Sequence, residues 1–133
     1  MSASYVRSKT RQWIGEVAAA TGIPFHETIN TASNPADLVW FSVGFNSEFN
    51  SGTFCDRGFI EQGFISLTIV AAPGEGDGAA VAAVEQIVPA MMAKVDPSGR
   101  LAYESWEPIQ EDTNGSADRD YRLVAIINYR HTL

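Results

Sequence analysis

Gly63-Phe64-Ile65-Ser66-Leu67-Thr68-Ile69-Val70-Ala71-Ala72 is the stretch on which the fold turns. Ile65, Leu67, Ile69 and Ala71 alternate with Phe64, Ser66, Thr68 and Val70, the period of two that belongs to a β-strand. One face is purely aliphatic and the other half polar. A one-residue slip would exchange core for surface, so the register of this strand is strongly specified. Downstream, Pro73-Gly74-Glu75-Gly76 reads as a turn into a helix predicted from about Asp77 to Val95. Val81, Val84, Val88, Met91 and Val95 step by three and four residues and share one stripe, which Ile87 and Met92 widen. Pro89 falls inside it. A proline there removes the amide that would bond the Glu85 carbonyl, so a kink or break is expected. Asp96-Pro97-Ser98-Gly99 supplies the stop.

On the upstream side, Leu38 to Phe45 is predicted as a strand with Val39, Phe41, Val43 and Phe45 on one face. Residues 46–62 mix turn formers with Phe49, Phe54 and Phe59 and read as a short strand or a hairpin arm. Residues 5–20 carry Val6, Trp13, Val17 and Ala20 at helical spacing, with Ile14 alongside. Ser4 is the candidate N-cap, and Gly22 followed by Pro24 the candidate stop. An extended segment and a loop fill 23–37. Toward the C-terminus, Leu101 to Ile109 is a strand whose Pro108 marks an end or an exposed edge. Residues 110–118 form a polar loop with Asn114-Gly115 at its tip. Arg119 to Tyr129 is the last strand, with Tyr121, Leu123, Ala125, Ile127 and Tyr129 on one face, and it forms a long hairpin with its predecessor. The order is helix, strand, strand or arm, strand, helix, strand, strand. Residues 1–133 are expected to form one α+β domain, a mostly antiparallel β-sheet with two main helices packed on one face. The other face, at least partly free, is a candidate surface for another subunit.

Composition narrows the function classes. The 133 residues are 45% hydrophobic and 19% charged, enough for one packed core. The net charge of −7 disfavours bulk nucleic-acid binding through phosphate neutralisation. The charge is segregated: Arg7, Lys9 and Arg11 give the first eleven residues +3, whereas residues 75–120 hold ten acids against three bases. Such a chain is suited to associate with copies of itself, basic patch to acidic patch; a solvated acidic surface is the plainer account. The single cysteine, Cys55, permits neither an intrachain disulfide nor a multi-cysteine zinc site. Charged residues interrupt the first twenty-two residues, and no run approaches a membrane span, so a soluble protein made in a reducing cytoplasm is expected, without signal peptide or membrane partner.

Candidate chemistry is sparse. The Gly74–Gly78 turn lies between a strand and a helix, as phosphate-binding turns do. It lacks the Lys-Ser/Thr pair of a P-loop, spaces its glycines as G-x-G-x-G, and puts Glu75 and Asp77 where a phosphate would sit. Asp77 reads better as a helix N-cap. Nothing in the spacing joins Cys55 to His26 or His131 as nucleophile and base. Glu104, Glu107, Glu111 and Asp112 have no calcium-loop spacing, and Asp56 and Glu61 sit in what reads as a polar loop that would not split their pKa values. No catalytic residue, cofactor or metal is expected. Trp40, Tyr103, Trp106, Tyr121 and Tyr129 fall in strands and read mainly as packing. Phe49 and Phe54 occur in turn-rich sequence, where they either fold back on the domain or dock on a partner.

Taken in order, these features form a pattern. An N-terminal amphipathic helix leads into Gly22-Ile23-Pro24-Phe25, and a proline-containing loop precedes the aromatic strand Leu38-Val39-Trp40-Phe41. Arg57-Gly58 and the glycine-opened strand Gly63-Phe64-Ile65-Ser66-Leu67 follow. Then come Pro73-Gly74-Glu75-Gly76 before the helix and a closing hairpin ending Val124-Ala125-Ile126-Ile127-Asn128-Tyr129. Over nearly its whole length the chain resembles the tail terminator, or tail completion, proteins of long-tailed bacteriophages and related tail-like particles. The resemblance rests on turns and hydrophobic patterns rather than on a catalytic signature. It implies a structural virion protein, not an enzyme, that forms a homohexameric ring. The ring caps the tail tube, ends its polymerisation and offers the surface that joins the head connector. The implied partners are further copies of itself, the tube protein and the connector or neck protein, with DNA passing through the channel without specific binding. The implied location is the virion tail, after assembly in the host cytoplasm. Phe49, Phe54, Asn114 and Gly115 are the partner contacts expected from this sequence. Two other roles compete: a neck, head–tail joining or tube subunit of the same particle, and a small ligand-binding domain using the Gly74–Gly78 turn.

Overall fold

The computed structural model describes residues 4–26, 39–52, 59–72, 76–112 and 121–132. Six elements follow one another: α1 (Ser4–Thr21), β1 (Val39–Gly52), β2 (Phe59–Ala71), α2 (Gly76–Met92), β3 (Leu101–Asp112) and β4 (Tyr121–Thr132). The sheet order is β1-β2-β4-β3, and every neighbouring pair is antiparallel. β1 and β2 form one hairpin and β3 and β4 the other. The α2 crossover sets β3 parallel to β2 with a gap of one strand, and β4 fills that gap. The fold is α+β with both helices on one face, as the sequence predicts.

The β2 alternation holds residue for residue: Ile65, Leu67, Ile69 and Ala71 are all fully buried. Phe41 from β1 and Leu123, Ala125, Ile127 and Tyr129 from β4 join them. Val6, Trp13, Ile14 and Val17 of α1 close this core from above. Each fully buried Leu or Ile contributes about 1.5–3 kcal/mol relative to exposure. α1 ends where expected. Gly22 takes the left-handed conformation (φ 74°), and its amide donates to the Ala18 carbonyl at 2.9 Å.

Four expectations need correction. α2 runs through Pro89 to Met92 without a break, and it stops before Val95. Its buried stripe is Ala80, Ala83, Val84, Ile87, Val88 and Met91; Val81 is 40% and Val95 79% exposed. Ala80 and Ala83 take inward positions on the helix, and Val81 faces outward. β1 does not end at Phe45 but continues to Gly52, with a register shift between Ser47 and Phe49, because β2 offers it a partner throughout. β3 and β4 extend further than predicted, to Asp112 and Thr132. β3 bulges between Tyr103 and Ser105 and again between Pro108 and Gln110.

The side of the sheet away from the helices is unevenly covered. Trp40 and Val70, opposite each other in the register, are both buried, and the ring of His26 stands edge-on to Trp40 at 5.2 Å. Pro24 to His26 run beside β1. The Phe41 amide donates to the Pro24 carbonyl at 3.0 Å and the His26 amide to the Phe41 carbonyl at 2.9 Å. Phe64, Ser66, Thr68, Val124 and Asn128 on the same side are half-buried.

Candidate functional site

Helix α1 begins Ser-Tyr-Val-Arg-Ser-Lys-Thr-Arg, with no acid in its first turn. Cations at this end oppose the helix dipole, at a cost of a few tenths of a kcal/mol each. Arg7 and Arg11, one turn apart, both lie over the Phe45 ring on β1, with guanidinium carbons 5.1 and 5.3 Å from its centroid. Stacking on a ring fixes the plane of a guanidinium. Lys9 lies on the other flank, 5.7 Å from the Trp13 ring centroid. Trp13 in turn meets Tyr103 of β3 edge-on at 5.3 Å, and Thr10 Oγ1 and Tyr103 Oη share a 2.7 Å hydrogen bond. Burial pushes the Tyr103 phenol well above its usual range, the Thr10 bond opposes this, and Tyr129 adds to it.

The opposite edge of the sheet differs in sign. β3 reads Leu-Ala-Tyr-Glu-Ser-Trp-Glu-Pro-Ile-Gln-Glu-Asp, four acids and no base. Glu104, the extra residue of the first bulge, is exposed, as are Ser105 and Glu107. Trp106 lies opposite fully buried Ile127 and so has the parity of the core, yet it is 42% exposed, because the helices do not cover β3 there.

Between these edges lies a buried polar cluster that the sequence reading did not find. Glu61 is not in a loop. It is a β2 residue on the core face, 3% exposed, and Tyr129 Oη donates to its Oε1 at 2.5 Å. His131 is its register partner on β4 and is fully buried; neither ring nitrogen has a hydrogen-bond partner among the described residues. Burial holds the His131 pKa below the usual value. Glu61 opposes that shift, Arg100 reinforces it and Asp96 opposes it. The Tyr5 ring stacks on His131 at 5.2 Å and also carries Arg100, 4.5 Å from its centroid. Tyr5 Oη donates to Asp96 Oδ2 at 2.7 Å. Asp96 also accepts from the Ser98 amide (3.0 Å), Ser98 Oγ (2.9 Å) and the Leu101 amide (3.1 Å). Burial alone would raise its pKa, but the Tyr5, Ser98 and Leu101 hydrogen bonds together bring it down to about 2. The cluster fastens the first turn of α1 to the turn before β3 and to the end of β4.

The residues singled out from sequence fare unevenly. Phe49 is in β1, opposite Gln62 just past the register shift, rather than in a turn. Phe54, Asn114 and Gly115 lie outside the described residues, as do Cys55, Asp56, Gly74 and Glu75. Gly76 and Asp77 open α2. Glu104, Glu107, Glu111 and Asp112 all belong to β3, and among the described residues no three His, Cys, Asp or Glu side chains are placed to hold a metal ion. No described helix is long and apolar enough to cross a membrane. The overlooked Glu61 and His131 carried a signal: each continues by two residues the inward parity of its strand, from Gly63 and from Tyr129.

Comparison with known proteins places the fold alone. No protein family matches the chain, and no curated protein matches it. Among solved structures the chain is similar to a protein that carries no functional name. The TM-score is 0.66 at 14% sequence identity, over 100% of this chain and 97% of the other. The shared architecture therefore extends over the full length of both chains.

Proposed function

We propose that this protein is a ring-forming structural subunit of a virion, the tail terminator of a long-tailed phage or related tail-like particle. The observation that carries the reading is the opposite charge at the two edges of one sheet. The Arg7 and Arg11 ridge lies over β1, and the acidic strand β3 lies at the far edge, roughly 14 Å away across four strands. Two complementary patches on different sides of one subunit join copies head to tail, and a head-to-tail contact closes into a ring when its rotation allows. The half-open sheet face, with Phe64 and Val124, adds apolar area for neighbours in the particle. In this role the ring ends growth of the tail tube, meets the head connector, and passes DNA through an acidic channel that repels phosphate. It works by occupying a position, with no cofactor and no bond made or broken. It would assemble in the host cytoplasm and end in the virion tail.

The test is mass measurement in solution followed by electron microscopy of the purified protein, alone and with tail tubes added. A closed ring seated on tube ends is expected. A strict monomer at high concentration that leaves tube ends bare overturns the proposal.

A further inference from the structure

We propose that the first turn of α1 is a latch that acid releases, with Tyr5 as its catch and His131 as the group that takes the proton. Tyr5 is held at two points. Its ring stacks on His131 at 5.2 Å with 10° between the planes, and its hydroxyl donates to Asp96 Oδ2 at 2.7 Å. His131 is fully buried, whereas the Tyr5 that covers it is only half-buried, so the cover on that side is one side chain deep. A neutral imidazole has one donor and one acceptor nitrogen, and neither finds a partner among the described residues. The closed latch therefore uses only the shape of the ring, which phenylalanine would supply as well. The nitrogens gain hydrogen bonds when the turn lifts and water reaches them, and an imidazolium, with two N–H groups to satisfy, gains more. The groups around the ring are Glu61 on β2, Tyr129 on β4, Tyr5 on α1, and Asp96 and Arg100 before β3. The nearby cations of α1 turn elsewhere, Arg7 to Phe45 and Lys9 to Trp13. Burial of the ring, reinforced by Arg100, outweighs the attraction of Glu61 and Asp96, so the closed state resists the proton. Asp96 keeps its charge down to about pH 2, so its bond from Tyr5 does not weaken between pH 7.5 and 5. Opening is then favoured as pH falls through about 6.5, where a solvated imidazole titrates. The latch belongs to a single subunit and stands whether or not the ring does.

The experiment is amide hydrogen exchange on the full chain at pH 7.5 and pH 5, corrected for the intrinsic pH dependence of exchange, with the His131 ring nitrogens followed by NMR. The first four amides of a helix lack intrahelical partners, so Ser8, Lys9 and Thr10 report the latch, and Leu67 and Ile69 of β2 report global unfolding. The first turn should exchange through a local opening, less protected than β2 at both pH values and insensitive to low urea. Acid should raise that opening by roughly tenfold and by no more than about thirtyfold, the ceiling for a group taken about 1.5 pH units below its solvated pKa. His131→Phe keeps the stack and should abolish the response, and Glu61→Gln should leave it in place. A local opening equal at the two pH values, or a ring that titrates near pH 6.5 while the turn stays protected, overturns the proposal. So do first-turn amides that share the protection and urea dependence of β2, because nothing then opens short of unfolding. A response that survives in folded His131→Phe, or vanishes in Glu61→Gln, gives the proton to another group and rejects His131. Should His131→Phe fail to fold, exchange and ring titration of the wild type decide the case.

Discussion

Tyr5→Phe removes one oxygen and tests how α1 is held. The lost hydroxyl donates to Asp96 Oδ2 at 2.7 Å across 91 residues of sequence. A hydrogen bond to a charged group contributes about 1.5–3 kcal/mol. The lower end applies here, because Asp96 keeps its bonds from Ser98 and Leu101 and is not left unsatisfied, and because the stacked ring survives in phenylalanine. The expected loss is about 1.5 kcal/mol, or roughly 6 °C in Tm for a domain of this size. The substitution should also raise the Asp96 pKa from about 2, since Tyr5 provides the first of the hydrogen bonds that lower it. The sign follows from linkage. A depressed carboxylate pKa stabilises the fold above about 3.8, and that stability is lost as pH falls from there toward 2. Tyr5→Phe should therefore flatten the acid limb of the stability curve. Urea unfolding at pH 7 and a carbon-detected NMR titration of the Asp96 carboxyl measure the two effects. In an Asp96→Asn background the same substitution should cost less than half as much, because the bond is then neutral. Equal costs in the two backgrounds, or an Asp96 pKa that does not move, would refute the account.

Two further outcomes follow from burial. Leu67→Ala, at the centre of β2 between Val43 and Ala125, should cost about 3 kcal/mol, whereas Thr68→Ala on the opposite face should cost less than about 1 kcal/mol; equilibrium denaturation that ranked them the other way would invert the register. Because burial depresses the His131 pKa, the unfolded chain takes up a proton near pH 6.5 that the folded chain resists, so stability should fall as pH drops through that value, by at most about 1.4 kcal/mol per pH unit. His131→Phe should remove that slope, and parallel stability profiles for variant and wild type between pH 5 and 8 would rule out the assignment.

What the sequence made legible was whatever periodicity determines. β2 could be read residue by residue because its two faces differ in kind, and β4 for the same reason. α2 was legible as a helix but not in its orientation. Valine was taken to mark the buried stripe, whereas Ala80 and Ala83 lie against the core and Val81 points away. Alanine is uninformative in a periodicity argument, since it suits either side of a helix. The strand ends were lost because charged and turn-forming residues there mimic loops: Asn46 to Gly52 pair with β2 only because the partner is present. Glu61 and His131 were lost for the same reason. Trp106 shows the converse error. Its parity was inward, but no helix covers that stretch of β3, and coverage by a distant element is not encoded locally. Of the four contact residues expected from sequence, only Phe49 lies among the described residues, and it sits in a strand.

The basic ridge invites a second account, in which Arg7, Lys9 and Arg11 bind the DNA that passes through such a ring. Magnitudes decide against it. Three cations neutralise at most three phosphates, which gives a slope of only about −2.7 in log K against log salt. That is weak attachment in a chain whose net charge is −7. Nor are all three cations arranged to follow one backbone, since Arg7 and Arg11 lean over Phe45 whereas Lys9 lies over Trp13. In the proposed ring, a subunit that held DNA on these cations would also obstruct the channel. In that ring, a chain of net charge −7 would instead face the polyanion with an acidic surface that repels it.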